Sequence, residues 1–209
     1  MSYHLAASCA REKQEGARDR TNRLVQSLLQ SPEVKQLWDS ASKMCGGDRI
    51  TVESVTKESN RALFGAYCTV YWKHHPRYGF LLRSPKIFYC EALDDDTSKL
   101  YILFEICNLT CFTEYLDLDM KVQRGELAMS GYVASNYEIE AGKVNRLYHF
   151  CVEKIHEKKI VPRDVYLKPF DGDLADEHKR RIEDSYRNLR ARNPPSWLAV
   201  LFNCLFYRP

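Results

Sequence analysis

The stretch Lys99–His149, KLYILFEICNLTCFTEYLDLDMKVQRGELAMSGYVASNYEIEAGKVNRLYH, decides how the rest of the chain is read. Its opening, Lys99–Phe104, is an apolar run of strand length and reads as a strand. It passes without a turn signal into a helix at Phe104-Glu105-Ile106-Cys107-Asn108. Leu109–Leu118 continues as helix, and Gly125 and Gly131 punctuate a connecting segment. From Ser135 to about Lys158 the spacing predicts a long helix with Ile139, Val144, Leu147, Tyr148, Cys151, Val152 and Ile155 on one face. Glu105, Asn108, Glu138 and Glu140 thus fall on elements expected to be rigid and mostly buried, where a carboxylate needs a partner.

Upstream, residues 2–30 carry a firming apolar stripe through Ala10, Ala17, Leu24, Val25, Leu28 and Leu29, and read as helix. Ser31-Pro32-Glu33 starts a second helix: a capping Ser, Pro at the first helical position and an acid in the first turn. That helix uses Val34, Leu37, Trp38 and Ala41 and stops at Gly46-Gly47. Strands then follow at Arg49–Thr56, Arg61–Trp72, Phe80–Arg83 and Lys86–Glu91, rich in aromatic and β-branched residues. His75-Pro76-Arg77-Tyr78-Gly79 forms one turn, and Asp94-Asp95-Asp96-Thr97-Ser98 forms a polar turn feeding Lys99–Phe104. Short connections favour antiparallel pairing.

Downstream, Val161–Phe170 is extended, Asp171–Arg192 is a strongly charged helix, and Pro194-Pro195 precedes Trp197–Tyr207, WLAVLFNCLFY. That last segment is apolar but only eleven residues long, too short to span a bilayer. The expected fold is α+β: an antiparallel meander of four or five strands flanked by N-terminal and C-terminal helices. One domain covers residues 1–209, with N-terminal helices at 1–46, the sheet at 49–106, a helical half at 107–159 and a C-terminal extension at 160–209.

Composition narrows the function classes. The 209 residues are long enough for one substantial core, and 28% charged with a net charge of +3 provides no field for nucleic acid or anionic membrane. No membrane span and no secretory leader are expected. The eight cysteines are scattered, none in a C-x-x-C, and read as reduced, buried thiols, which places the protein in the cytoplasm or another reducing compartment. No glycine-rich phosphate cradle and no G-x-S-x-G elbow occurs. The basic run Lys179-Arg180-Arg181…Arg187…Arg190…Arg192 follows Asp171, Asp173, Asp176 and Glu177, the charge order a solvated helix prefers for its dipole.

The segment Phe104–Asn108 resembles the His-Glu-x-x-His motif of zincin metallopeptidases, keeping Glu105 but carrying Phe104 and Asn108 where the metal histidines stand. Tyr137-Glu138-Ile139-Glu140-Ala141 resembles the downstream helix that supplies a glutamate ligand in some zincins. The resemblance extends over residues 60–150 in layout. It implies a pseudoenzyme: Phe has no lone pair, neutral Asn is a poor replacement for imidazole, and no metal is held to lower the pKa of a water. No metal site and no cofactor are expected.

Read without the resemblance, Glu105 suits the start of a helix, Ser135 or Asn136 caps the second helix, and Lys143, Arg146 and His149 are available to pair with a buried Glu105. The expected function is a non-catalytic protein-interaction module whose partner contacts come from Trp197, Leu201, Phe202 and Phe206. The alternative is a hydrolase using Glu105, Asn108, Glu138, Glu140 and His149, or one of the cysteines with a histidine, including the case of a secreted bacterial effector delivered into a host cytosol.

Overall fold

The computed structural model describes residues 2–56, 65–75, 79–165, 167 and 173–191. Its first helix, α1 (Ser2–Leu28), docks through Thr21, Leu24 and Leu28 at its C-terminal end. Arg20 on the same helix donates to the Asp95 carboxylate at 2.8 Å and to the Glu91 carbonyl at 2.8 Å, which ties down the turn after the sheet. The second helix, α2 (Pro32–Met44), begins at the Ser31-Pro32-Glu33 signal and buries Val34, Leu37 and Ala41. It ends at Gly46 and Gly47, whose φ values of 69° and 81° lie in the left-handed region that side chains disfavour.

The sheet has three strands among the described residues: β1 (Thr51–Val55), β2 (Ala66–His75) and β3 (Gly79–Cys90), in the order β1-β3-β2. β2 and β3 pair antiparallel, with Cys68 opposite Ile87 and Trp72 opposite Leu82. β1 runs parallel to β3, with Val52 opposite Ile87. The sheet is therefore mixed rather than an antiparallel meander of four or five strands.

Two features account for that correction. Phe80–Arg83 and Lys86–Glu91 are parts of one strand, bent where the register slips between Thr69 and Tyr71. Ser84 takes φ 50° there and its N–H donates to Asp48 Oδ2 at 2.9 Å, so the bulge accommodates Pro85 inside the strand. The second feature is Lys99–Phe104, which is helical, part of α3 (Asp95–Thr110). The polar cluster before it is the helix cap: Asp94 accepts from Thr97 N–H at 2.8 Å and from Thr97 Oγ1 at 2.7 Å, and Asp95 and Asp96 occupy the first turn.

Helix α3 is the centre of the molecule. It lies against β2 and β3 on one side and against α1, α2 and the helix at Asn145–Glu157 on others, so Ser98 and every residue from Leu100 to Leu109 are buried. A helix enclosed all round loses the one-sided periodicity that identifies helices from sequence. The chain continues as α4 (Phe112–Arg124), which ends at Gly125 with φ 78°, then as α5 (Met129–Tyr137), a π-helical segment (Glu138–Val144) and α6 (Asn145–Glu157) in unbroken succession. Ser135 and Asn136 lie inside this helix rather than capping it; Ala128 precedes its first turn. The last described element, α7 (Asp173–Ala191), packs on α4 and α5.

The two faces of the sheet differ. Cys68, Val70, Leu82, Ile87 and Tyr89 join the main core. On the other face Tyr67 and Phe88 stack at 4.9 Å within a small cluster, while Tyr71 and Leu81 are 59% and 40% exposed. One covered face and one open face is a common arrangement for sheets with antiparallel pairing.

Candidate functional site

The polar groups of the interior gather on the helices, and the π-helical segment positions Glu140 among them. Ile139 and Val144 are both buried although they stand five apart, a spacing an α-helical stripe does not give. The wider turn lets Ile139, Glu140 and Val144 all face inward, and such turns are frequent at functional sites. Glu140 meets His178 of α7 there in a carboxylate–imidazole contact, with both side chains buried. The Tyr137 ring stands edge-on to the His178 ring at 5.9 Å.

One helical turn earlier, Tyr132 donates its hydroxyl to Asp119 Oδ1 of α4 at 2.7 Å, and Asn136 Nδ2 donates to the Tyr132 carbonyl at 2.8 Å. Asp119 is 6% exposed, and burial pushes its carboxyl up to about 7, against a smaller lowering by the Tyr132 hydrogen bond. Burial first, and then the adjacent Asp119, raise the Tyr132 phenol as well. From α7, the Tyr186 ring lies 5.8 Å from that of Tyr132, its hydroxyl reaches the Leu127 carbonyl at 3.4 Å, and Arg190 reaches the Val122 carbonyl at 3.3 Å. The result is a buried polar seam, Asp119–Tyr132–Asn136 and Glu140–His178, along the junction of α4, α5, the π segment and α7.

The residues singled out from sequence do not converge on one place. Glu105 and Asn108 sit mid-helix in α3, each 1% exposed, with Asn108 Nδ2 at 3.4 Å from Glu105 Oε2. Glu105 is therefore well inside the helix rather than at its dipole-favoured start. Phe104 packs edge-on against Tyr148 at 5.3 Å. Glu140 belongs to the seam on α7, whereas Glu138 is exposed. Lys143 and Arg146 are exposed: Lys143 pairs with Glu114, and Arg146 donates to the Gly142 carbonyl, because both fall on the outer side of the helix. His149 is half-buried with its ring tilted against Tyr148 at 5.6 Å. Trp197, Leu201, Phe202 and Phe206 lie outside the described residues.

The six described thiols are enclosed. Cys45, Cys68, Cys90, Cys107, Cys111 and Cys151 are free and buried. Desolvation is the main cause that raises the thiol pKa of Cys107 and Cys111, and it lifts Cys45 and Cys151 to about 11. A thiol kept protonated is a weak nucleophile. Among the described residues no three His, Cys, Asp or Glu side chains are grouped to hold a metal ion, and no helix is long and apolar enough to cross a membrane.

Asp119, Tyr132, Asn136 and His178 were not candidates from the sequence, yet two of them left a signal there. Asp119 falls on the stripe Phe112, Tyr115, Leu116, Val122 of α4, and His178 falls on the stripe Ile182, Tyr186, Leu189 of α7. A polar residue on an otherwise apolar helical face marks a buried partner. No protein-family model, curated protein or solved structure matches the chain.

Proposed function

We propose that this protein is a non-catalytic protein-interaction module of a reducing compartment. The observation that carries the reading is enclosure. Glu105, Asn108, Asp119, Glu140 and His178 are all buried and sit between packed helices. A general base must come within hydrogen-bond reach of a substrate proton, and side chains so covered offer no such approach. The enclosed thiols with raised pKa values speak the same way against the cysteine-dependent alternative, and six free buried cysteines suit a reducing compartment, host cytosol included. A degenerate metallopeptidase origin would rest on the Phe104–Asn108 motif and its place on a buried helix; Glu138 and Glu140 diverge from it, one toward solvent and one toward α7.

Contacts for a partner come from apolar groups that meet solvent. Tyr71 and Leu81 provide them on the open sheet face, flanked across the strands by Arg83 and Lys73. The apolar sequence Trp197–Tyr207 provides a second set through Trp197, Leu201, Phe202 and Phe206. The test is photo-crosslinking in cells from an amino acid placed at Tyr71, Leu81, Trp197 or Phe202, with Lys35 as an exposed polar control. A discrete heteromeric adduct from at least one of the four, and none from position 35, supports the reading. Adducts from none of them, together with turnover of any acyl or peptidyl substrate that Glu140→Gln abolishes without loss of folding, would replace it with the hydrolase.

A further inference from the structure

We infer that α7 is a proton-governed clasp, closed on α4 and α5 while the Asp119 carboxyl is neutral and loosened when that carboxyl ionises. The geometry is that of an element held by polar contacts rather than by a core. α7 places Ile182 and His178 in the buried class, while Tyr186 and Leu189 pack only partly buried against the core. Among its described side chains, further holds include the Glu140–His178 contact, the Tyr186 hydroxyl on the Leu127 carbonyl and the Arg190 guanidinium on the Val122 carbonyl. Elements with few buried apolar contacts open at the low end of a protein's stability range.

Asp119 is placed to sense the proton because α7 closes over its partner. Tyr132 donates to Asp119 from α5, and Tyr186 of α7 covers the Tyr132 ring. The charged and titratable groups around Asp119 can be placed element by element. From α5 comes Tyr132, and from the π segment comes Glu140, which acts on Tyr132 as a second negative charge. From α7 come His178 on Glu140, Tyr186 on Tyr132, and Arg190, whose guanidinium lies over the Gly125 end of α4. On α4 itself, Asp117 and Lys121 pair with each other at the surface.

Neutral Asp119 accepts the Tyr132 hydroxyl and needs no counter-charge. Ionised, it is a desolvated anion, and the relief open to it is hydration through departure of α7. A carboxyl that ionises near 7 when covered and in the ordinary range when hydrated makes opening about tenfold more favourable at pH 8 than at pH 6. The Glu140–His178 contact also holds α7, so its part is separated from that of Asp119 by substitution. Opening uncovers the α4–α5 face that bears Tyr132, Asn136 and Glu140.

The test is hydrogen exchange by mass spectrometry on the full chain at pH 6 and pH 8, with rates corrected for intrinsic exchange. Peptides from residues 173–191 should lose about tenfold in protection at pH 8 while peptides from residues 95–110 keep theirs. Asp119→Asn, which keeps the acceptor oxygen and removes the charge, should abolish that loss; Glu140→Gln should preserve it. Should Asp119→Asn fail to fold, Tyr132→Phe serves instead: without the hydroxyl that lowers the Asp119 pKa, the loss should move to higher pH. Equal α7 protection at the two pH values overturns the clasp, as does a pH dependence that survives Asp119→Asn or vanishes in Glu140→Gln alone.

Discussion

Helices α3 and α7 are held in opposite ways. In α3 every residue from Leu100 to Leu109 is buried, and the few polar groups among them are carried along by the apolar ones. In α7 most of the surface meets water, and buried Ile182 works beside a histidine–carboxylate contact and two side-chain bonds to helix-end carbonyls. Apolar enclosure stabilises in proportion to area and is indifferent to pH. Polar contacts fix the position of a helix and tie its docking to protonation. The same chain thus contains a core that should not respond to conditions and an attachment that should.

The largest effect belongs to α3. Leu103→Ala, at a position with no exposure, should cost roughly 2–5 kcal/mol of unfolding free energy, read from the denaturant midpoint. A loss below 1 kcal/mol would mean that α3 is not the centre of the core.

Asp119→Asn should come next. The folded protein binds the Asp119 proton more tightly than the unfolded chain, so wild-type stability is greatest below the ordinary aspartate range. It falls as pH rises toward about 7 and is lowest above it. The variant should be flat through that window and more stable than wild type at pH 8 by roughly 4 kcal/mol. Denaturant titrations from pH 4 to pH 8 show either the converging pair of curves or two parallel ones, and parallel curves would remove Asp119 as the sensitive group.

Asp94→Ala removes both cap bonds to Thr97 and should cost about 1 kcal/mol, with increased amide exchange confined to the first turn of α3. The smallest effect should come from Arg187→Ala. Arg187 pairs with Glu183 and Asp184 at 58% exposure, where such pairs contribute under about 0.5 kcal/mol. A larger loss in chemical denaturation would show that charge on the outer face of α7, rather than its seam, holds the helix.

The same contrast explains which parts of the chain could be read in advance. α1, α2 and α7 have one apolar side or clear punctuation, and Ser31-Pro32-Glu33 and Gly46-Gly47 bound α2, although Ser31 Oγ donates to Glu33 Oε2 rather than capping a backbone N–H. The run Leu100–Phe104 could not be told from a strand by periodicity, because full enclosure removes the polar side of the helix. Asp94 and Thr97 held the missing clue, since a cap bond forms three residues apart while a turn cluster carries no such register. The parallel pairing of β1 with β3 depends on how β2 reaches the far edge, which no local pattern encodes.

The polar interior was legible in half. Glu105, Asn108 and Glu140 stand out as polar residues in apolar surroundings, but their partners are set by packing. A five-residue spacing from Ile139 to Val144 turns Glu140 toward α7, and His178, its partner, lies in a helix otherwise read as a solvated charge run. Asp119 falls on the apolar stripe of α4, while its neighbours Asp117 and Lys121 pair at the surface and give the same stretch a solvated look.

The central claim is that the buried polar groups join helices and do not perform chemistry, and the Glu140–His178 contact is its most direct test. Glu140→Gln, His178→Gln and the double variant, compared by denaturant unfolding at pH 6, form a double-mutant cycle. The account predicts that the two changes are coupled by more than about 1 kcal/mol, with each single variant destabilising α7 docking. Additive effects within about 0.3 kcal/mol would contradict it, since residues poised for catalysis need not hold each other in place.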